Sequence, residues 1–174
     1  DVNKTIWSAM SWEPGTEVRK VVTEYARVYL DADKAEELAD GILALEKNWH
    51  GALMNNGAVD GTLMLWQRLE KQVPELEKNW RGQMCLVRAY YDAYARRRLV
   101  NETMLENEAN ALLAQAGQRG ADKVMDEAMA VLNRAATEPV AADLRARIVD
   151  LYEKLFQSIC LQSSVEKYQA SGAE

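Results

Sequence analysis

The chain has 174 residues, of which 48% are apolar and 28% are charged, with only 3 prolines and 9 glycines. This composition excludes collagen-like, low-complexity and mostly disordered chains. The 21 basic and 27 acidic side chains give a formal net charge of -6, so we expect no nucleic-acid partner and no attraction to an anionic membrane.

Residues 1–15 are predicted to form a non-helical lead-in from a preceding domain, with three large apolar side chains to bury: Trp7, Met10 and Trp12. Residues 16–174 are predicted to form a single helical domain. Its first helix starts near Thr16, whose hydroxyl can accept from a free amide of the first turn, and runs to about Leu30.

The second predicted helix covers residues 33–49, because its apolar residues recur on one face at Leu38, Ile42, Leu45 and Trp49. The segment after it, residues 50–61, is the richest in turn-forming Gly, Asn and Asp and is predicted to be a loop. A third helix follows from about Asp60 to Gln72, ending before Pro74.

The second half of the chain is predicted to hold one long helix, or two joined by a kink, followed by two shorter helices. Neither Gly nor Pro occurs between Gln83 and Ala116. The shorter helices cover about residues 121–136 and 140–161, on either side of Pro139. Since no segment alternates with the period of a strand, the predicted fold is all-α: about six helices in antiparallel hairpins that form a bundle, with one long central helix.

One heptapeptide occurs twice. Residues 45–51 read LEKNWHG and residues 76–82 read LEKNWRG, so one position of seven differs. Helical solenoids repeat at a similar offset, but they need about three stacked units to bury a core. The flanks do not match and there is no third copy, so we interpret the pair as local similarity.

Residues that carry chemistry are few. His50 is the only histidine, and Cys85 and Cys160 lie far apart within apolar helical patterns. Without clustered His or Cys there is no metal-ligand spacing, and no nucleophile and base stand in a recognisable pattern. The sequence predicts two buried free thiols, with a single disulfide between them as the alternative, and it predicts no catalytic residues, no metal site and no cofactor.

Several short motifs follow one another between residues 5 and 115. They are a lead-in with Trp12 and Pro14, a helix with Tyr25-Ala26-Arg27, an acidic break, a helix that ends in Leu45-Glu46 and Trp49, and a continuation with Asn79-Trp80-Arg81 and Arg88-Ala89-Tyr90-Tyr91-Asp92-Ala93-Tyr94. This order resembles the helical region that follows the catalytic (β/α)8 barrel in large bacterial glycoside-hydrolase-like proteins.

The resemblance implies a non-catalytic accessory domain whose partner is the catalytic domain of the same parent chain. It also implies that loop 50–61 lines the sugar cleft, with a carbohydrate contacted by five side chains: Trp49, His50, Asn55, Asn56 and Asp60. Such enzymes are often exported, which would place the parent in the periplasm or outside the cell.

An alternative function is a free-standing helical interaction module whose exposed groove binds a partner helix. Its basis is the 5 Trp and 7 Met residues, which are more large apolar side chains than a bundle of this size readily hides.

Overall fold

The computed structural model describes residues 1–160, and this part of the chain contains helices and no strands. The predicted all-α class is confirmed, with eight α-helices instead of about six. They are α1 (Val2–Trp12), α2 (Val18–Tyr29), α3 (Ala35–Lys47), α4 (Ala58–Gln72), α5 (Trp80–Leu113), α6 (Ala116–Arg119), α7 (Ala121–Thr137) and α8 (Ala142–Ile159). Within residues 1–160, no helix has both the length and the apolar character needed to cross a membrane.

The predicted non-helical lead-in over residues 1–15 is wrong, because most of it forms α1. No Gly or Pro interrupts residues 2–12, and Val2 and Ile6 are four residues apart, so they share the face that packs on the core. The helix ends at Glu13, whose backbone is extended directly before Pro14, as expected for a residue that precedes proline.

The larger core lies around the first half of α5, the 34-residue central helix. Helices α2, α3, α4 and α8 supply most of the other buried side chains. At its centre is Trp66 of α4, which is fully buried and donates its indole N–H to the carbonyl of Gly41 at 3.1 Å. Because a glycine stands at position 41, α3 and α4 can approach closely enough for this bond.

A second, smaller core lies between the second half of α5 and α7. Its buried residues are Leu105 and Ala109 of α5 and Ala128 and Val131 of α7. Among residues 1–160, α5 and α7 alone contribute to this core. We call residues 99–113 and 121–137 the arm.

Candidate functional site

Three of the five predicted sugar-contact residues are exposed: Trp49, His50 and Asn55. Trp49 and His50 follow the end of α3, and Asn55 closes a single 3-10 turn over Leu53–Asn55. They lie on the segment that joins α3 to α4, so the structure leaves these three side chains accessible for contact with a ligand.

The other two predicted contacts, Asn56 and Asp60, are engaged within the protein. The Asn56 side-chain amide donates to the Lys47 carbonyl at 2.8 Å, and its oxygen accepts from the amide of Ala58 at 3.0 Å. Asn56 therefore ties the end of α3 to the start of α4. Asp60 lies in the first turn of α4 and accepts from a terminal nitrogen of Arg96 at 2.8 Å. Both side chains therefore already have partners within the domain.

Trp49 contacts α5 through the guanidinium group of Arg88, which the sequence did not point to as a partner of Trp49. The Arg88 guanidinium carbon is 4.6 Å from the centre of the Trp49 ring, which is a cation–π distance. Arg88 donates from Nε to Asp92 at 2.9 Å, and the buried Asn48 donates to the same carboxylate oxygen at 2.9 Å. The i,i+4 spacing of Arg88 and Asp92 on one helix is the sequence feature that could have predicted this ion pair.

Arg88 also connects this loop to a cavity of about 450 Å³. The cavity lies between α1, α2, α3, α5 and α8, and its volume falls in the range of small-molecule sites. Most of the lining is apolar or aromatic, including Tyr25, Trp80, Tyr91 and Tyr152. None of the five predicted sugar-contact residues lines it.

The charged groups of the cavity are largely paired. Asp1 accepts from Arg81 Nε at 2.6 Å and from the Tyr25 hydroxyl at 3.0 Å. The Arg81 guanidinium in turn stacks on the rings of Trp80 and Tyr29, at 4.4 and 4.3 Å from their centres. Arg81 therefore joins the start of α1 to α2 and α5 and forms part of the cavity wall.

Three titratable groups in the cavity wall have a pKa raised by burial, which favours their neutral forms. Burial raises the pKa of the Cys85 thiol to about 12, and it also raises the pKa of Tyr25 and of Tyr152 above the ordinary value. A thiol with a raised pKa is a poor nucleophile at neutral pH. The apolar and aromatic lining is thus suited to contact with an apolar group, and the raised pKa makes Cys85 a poor nucleophile. The second thiol, Cys160, is exposed, so the prediction of two buried thiols is wrong for this residue.

The helix that lines one side of this cavity, α1, exposes two tryptophans. Its inner residues, among them Val2 and Ile6, line the cavity. On the outside, Trp7 is 79% exposed and Trp12 is 93% exposed. No residue of α1 is fully buried, so this helix leaves most of its aromatic surface in contact with solvent.

Comparisons of the chain with protein-family models, with curated proteins and with solved structures find no match. The resemblance to the helical region of glycoside-hydrolase-like proteins therefore remains a prediction that depends on the short motifs in the sequence.

Proposed function

We propose that this chain is a non-catalytic helical accessory domain of a larger glycoside-hydrolase-like protein, and that the exposed tryptophans of α1 pack against the catalytic domain of that protein. The observation that carries the proposal is the exposure of Trp7 and Trp12 on one short helix. Large aromatic side chains that stay exposed together on a folded chain are typical of interaction surfaces.

The position of α1 supports this choice of surface. Its inner face is already used, since Val2 and Ile6 pack on the core, and the Asp1–Arg81 ion pair holds the residue that precedes α1 against α5. The outer face is presented on a helix that the rest of the domain orients. A docking surface needs such an orientation, because a free helix would lose more conformational entropy on binding.

The proposed role in the sugar cleft belongs to the exposed side chains that follow α3. Trp49 is 68% exposed and is backed by Arg88, so it offers a fixed aromatic surface, and the exposed His50 and Asn55 follow it on the segment between α3 and α4. We assign no sugar contact to Asn56 or Asp60, because their polar atoms already have partners within the domain.

The first test is the natural gene. We expect the reading frame to continue upstream of the codon for Asp1, with alternating strands and helices and with acidic residues at strand ends. A start codon directly before Asp1 would overturn the accessory-domain proposal.

The docking surface is then tested in the full-length protein by hydrogen exchange. Amides of α1 should exchange more slowly there than in the 174-residue chain, and the double variant W7S/W12S should remove the difference. Met64 of α4 is 70% exposed and offers a matched control, since M64S should leave the protection of α1 unchanged. Equal exchange of α1 in both proteins would show that this helix is not the interface.

The proposed sugar contact is tested separately, by enzyme kinetics. In the full-length enzyme, W49A and H50A should raise KM with little change in kcat, because they would remove contacts made equally in the ground and transition states. Unchanged KM in both variants would exclude the loop from the cleft without affecting the docking proposal.

A further inference from the structure

The arm has a continuous apolar stripe on α7 that no described part of the domain covers. Met125, Met129 and Leu132 are spaced at i, i+4 and i+7, so they share one face of the helix. All three are exposed, the two methionines by more than half. Val124, Ala128 and Val131 are the buried residues of the same helix, and the stripe therefore lies beside the buried seam.

Two ion pairs mark the opposite side of the arm. Arg134 of α7 donates to Glu108 of α5 at 3.1 Å, and Arg119 donates to Glu127 at 2.7 Å. Glu127 and Arg134 are seven residues apart, so they share one flank of α7, and the helical period places the stripe on the other flank.

The same period extends the apolar surface onto α5. Leu99 and Leu113, both exposed, lie on the side of α5 that faces away from Glu108. Met104 lies on the same side as Glu108. We define the apolar side of the arm by its exposed residues Leu99, Leu113, Met125, Met129 and Leu132.

Exposed carboxylates border this apolar side. Asp122 and Asp126 each come three residues before a methionine of the stripe, and Glu106 comes seven residues before Leu113. All three are exposed, and within residues 1–160 no basic side chain forms an ion pair with any of them. The acidic residues on the other side, Glu108 and Glu127, are both paired.

We propose that the apolar side of the arm binds a basic amphipathic helix of a partner protein. The apolar residues of that helix would pack on the two methionines and on Leu132, and its Lys or Arg residues would pair with Glu106, Asp122 and Asp126. Unbranched methionine side chains adapt to varied apolar partners, and an apolar groove with complementary charges at its edges is a common mode of helix recognition.

The charges favour this occupant over a second copy of the chain. Two copies that paired through their apolar sides would bring the same unpaired carboxylates together, and like charges at an interface are unfavourable. The proposal is independent of the docking surface on α1, because it uses a different part of the molecule.

The test uses the full 174-residue chain and a fluorescent Leu/Lys peptide of about 18 residues, roughly five helical turns. Fluorescence anisotropy should show saturable binding that weakens in about 0.5 M NaCl, where charges are strongly screened. A Leu/Glu peptide of the same pattern should not bind. M125S/M129S should raise Kd by about tenfold or more, which corresponds to about 1.4 kcal/mol.

Met104 provides the matched control, since it is also exposed but lies on the ion-paired side. M104S should leave Kd unchanged, and E106Q/D122N/D126N should weaken binding and reduce its salt dependence. Several outcomes would overturn the proposal: no saturable binding of the Leu/Lys peptide, equal binding of the Leu/Glu peptide, or equal effects of M104S and M125S/M129S. Sedimentation that shows a dimer dissociated by M125S/M129S would identify a second copy as the occupant instead.

Discussion

Asn48 and Asp92 are 44 residues apart in the chain and share a buried hydrogen bond, in which the Asn48 amide donates to a carboxylate oxygen at 2.9 Å. Arg88 donates to the same oxygen. The bond ties the residue that follows α3 to the middle of α5. It therefore determines that the next residue, Trp49, lies above Arg88.

The Asp92 carboxylate should be important for stability. D92A would leave the buried amide of Asn48 and the Nε of Arg88 without their acceptor, and an unpaired buried polar group costs about 1–3 kcal/mol. We expect urea denaturation to show a loss of that size. Asp122, which is exposed and has no ion-pair partner within residues 1–160, supplies the control, since D122A should change the free energy of unfolding by less than about 0.5 kcal/mol. Equal losses in D92A and D122A would contradict this assignment.

Two glycines in helices should respond to alanine in opposite directions. A Cβ at Gly82 would lie 2.4 Å from the carbonyl oxygen of Leu76, so G82A should destabilise the fold by about 1–3 kcal/mol through overpacking. Gly61 of α4 has open space around the same atom, and G61A should stabilise by about 0.5–1 kcal/mol because alanine is the better helix former. Thermal unfolding should show Tm lowered in G82A and raised in G61A. A G82A variant as stable as the wild type would show that the α5 start is packed less tightly.

The two thiols should react at very different rates. Cys160 is exposed, whereas Cys85 lies in the cavity wall, where burial raises its pKa to about 12. With an aromatic disulfide reagent at pH 8, one thiol should react quickly and the other only slowly or after unfolding. C160S should remove the fast phase. A fast phase that persists in C160S would mean that the cavity is open to the reagent.

The ion pairs around Glu77 should make stability depend on pH in the acid range. Lys154 donates to Glu77 at 2.5 Å and Arg147 also donates to it, and these contacts lower the pKa of Glu77 below its ordinary value of 4.5. A lowered pKa in the folded state contributes stability above the ordinary value, and that contribution is lost as pH falls through the folded pKa.

We therefore expect the free energy of unfolding to fall less between pH 7 and pH 3 in E77Q than in the wild type. E75Q provides a comparison at an exposed position two residues earlier, where the partner is the equally exposed Lys78, and it should keep the wild-type difference. The same pH dependence in E77Q and the wild type would show that the pairs contribute nothing measurable.

The helix boundaries were largely predictable, because they depend on neighbouring residues. The helix predicted over residues 33–49 is Ala35–Lys47 in the structure, and the one predicted over 121–136 is Ala121–Thr137. The error at α1 arose because Trp7, Met10 and Trp12 were expected to be buried in irregular structure. They instead lie on a helix that exposes them.

The buried face of α5 could not be predicted from periodicity alone. Met84 and Tyr91 are large apolar or aromatic side chains on α5, yet both are substantially exposed, while Gln83, Leu86 and Tyr90 are buried. Other helices pack on α5 along more than one side, among them α4 and α8. A single apolar stripe therefore does not describe such a helix.

The sequence by itself determined the all-α class and the approximate helix ends, since both depend on residues within a few positions of one another. The two copies of LEKNW show where that information stops. In the first copy Asn48 is buried and donates to Asp92, whereas in the second copy Asn79 caps the start of α5 by accepting from the amide of Arg81. Only the tertiary structure decided these two roles. It also decided where the cavity and the apolar side of the arm lie, because these features depend on which helix faces pack together and which stay uncovered.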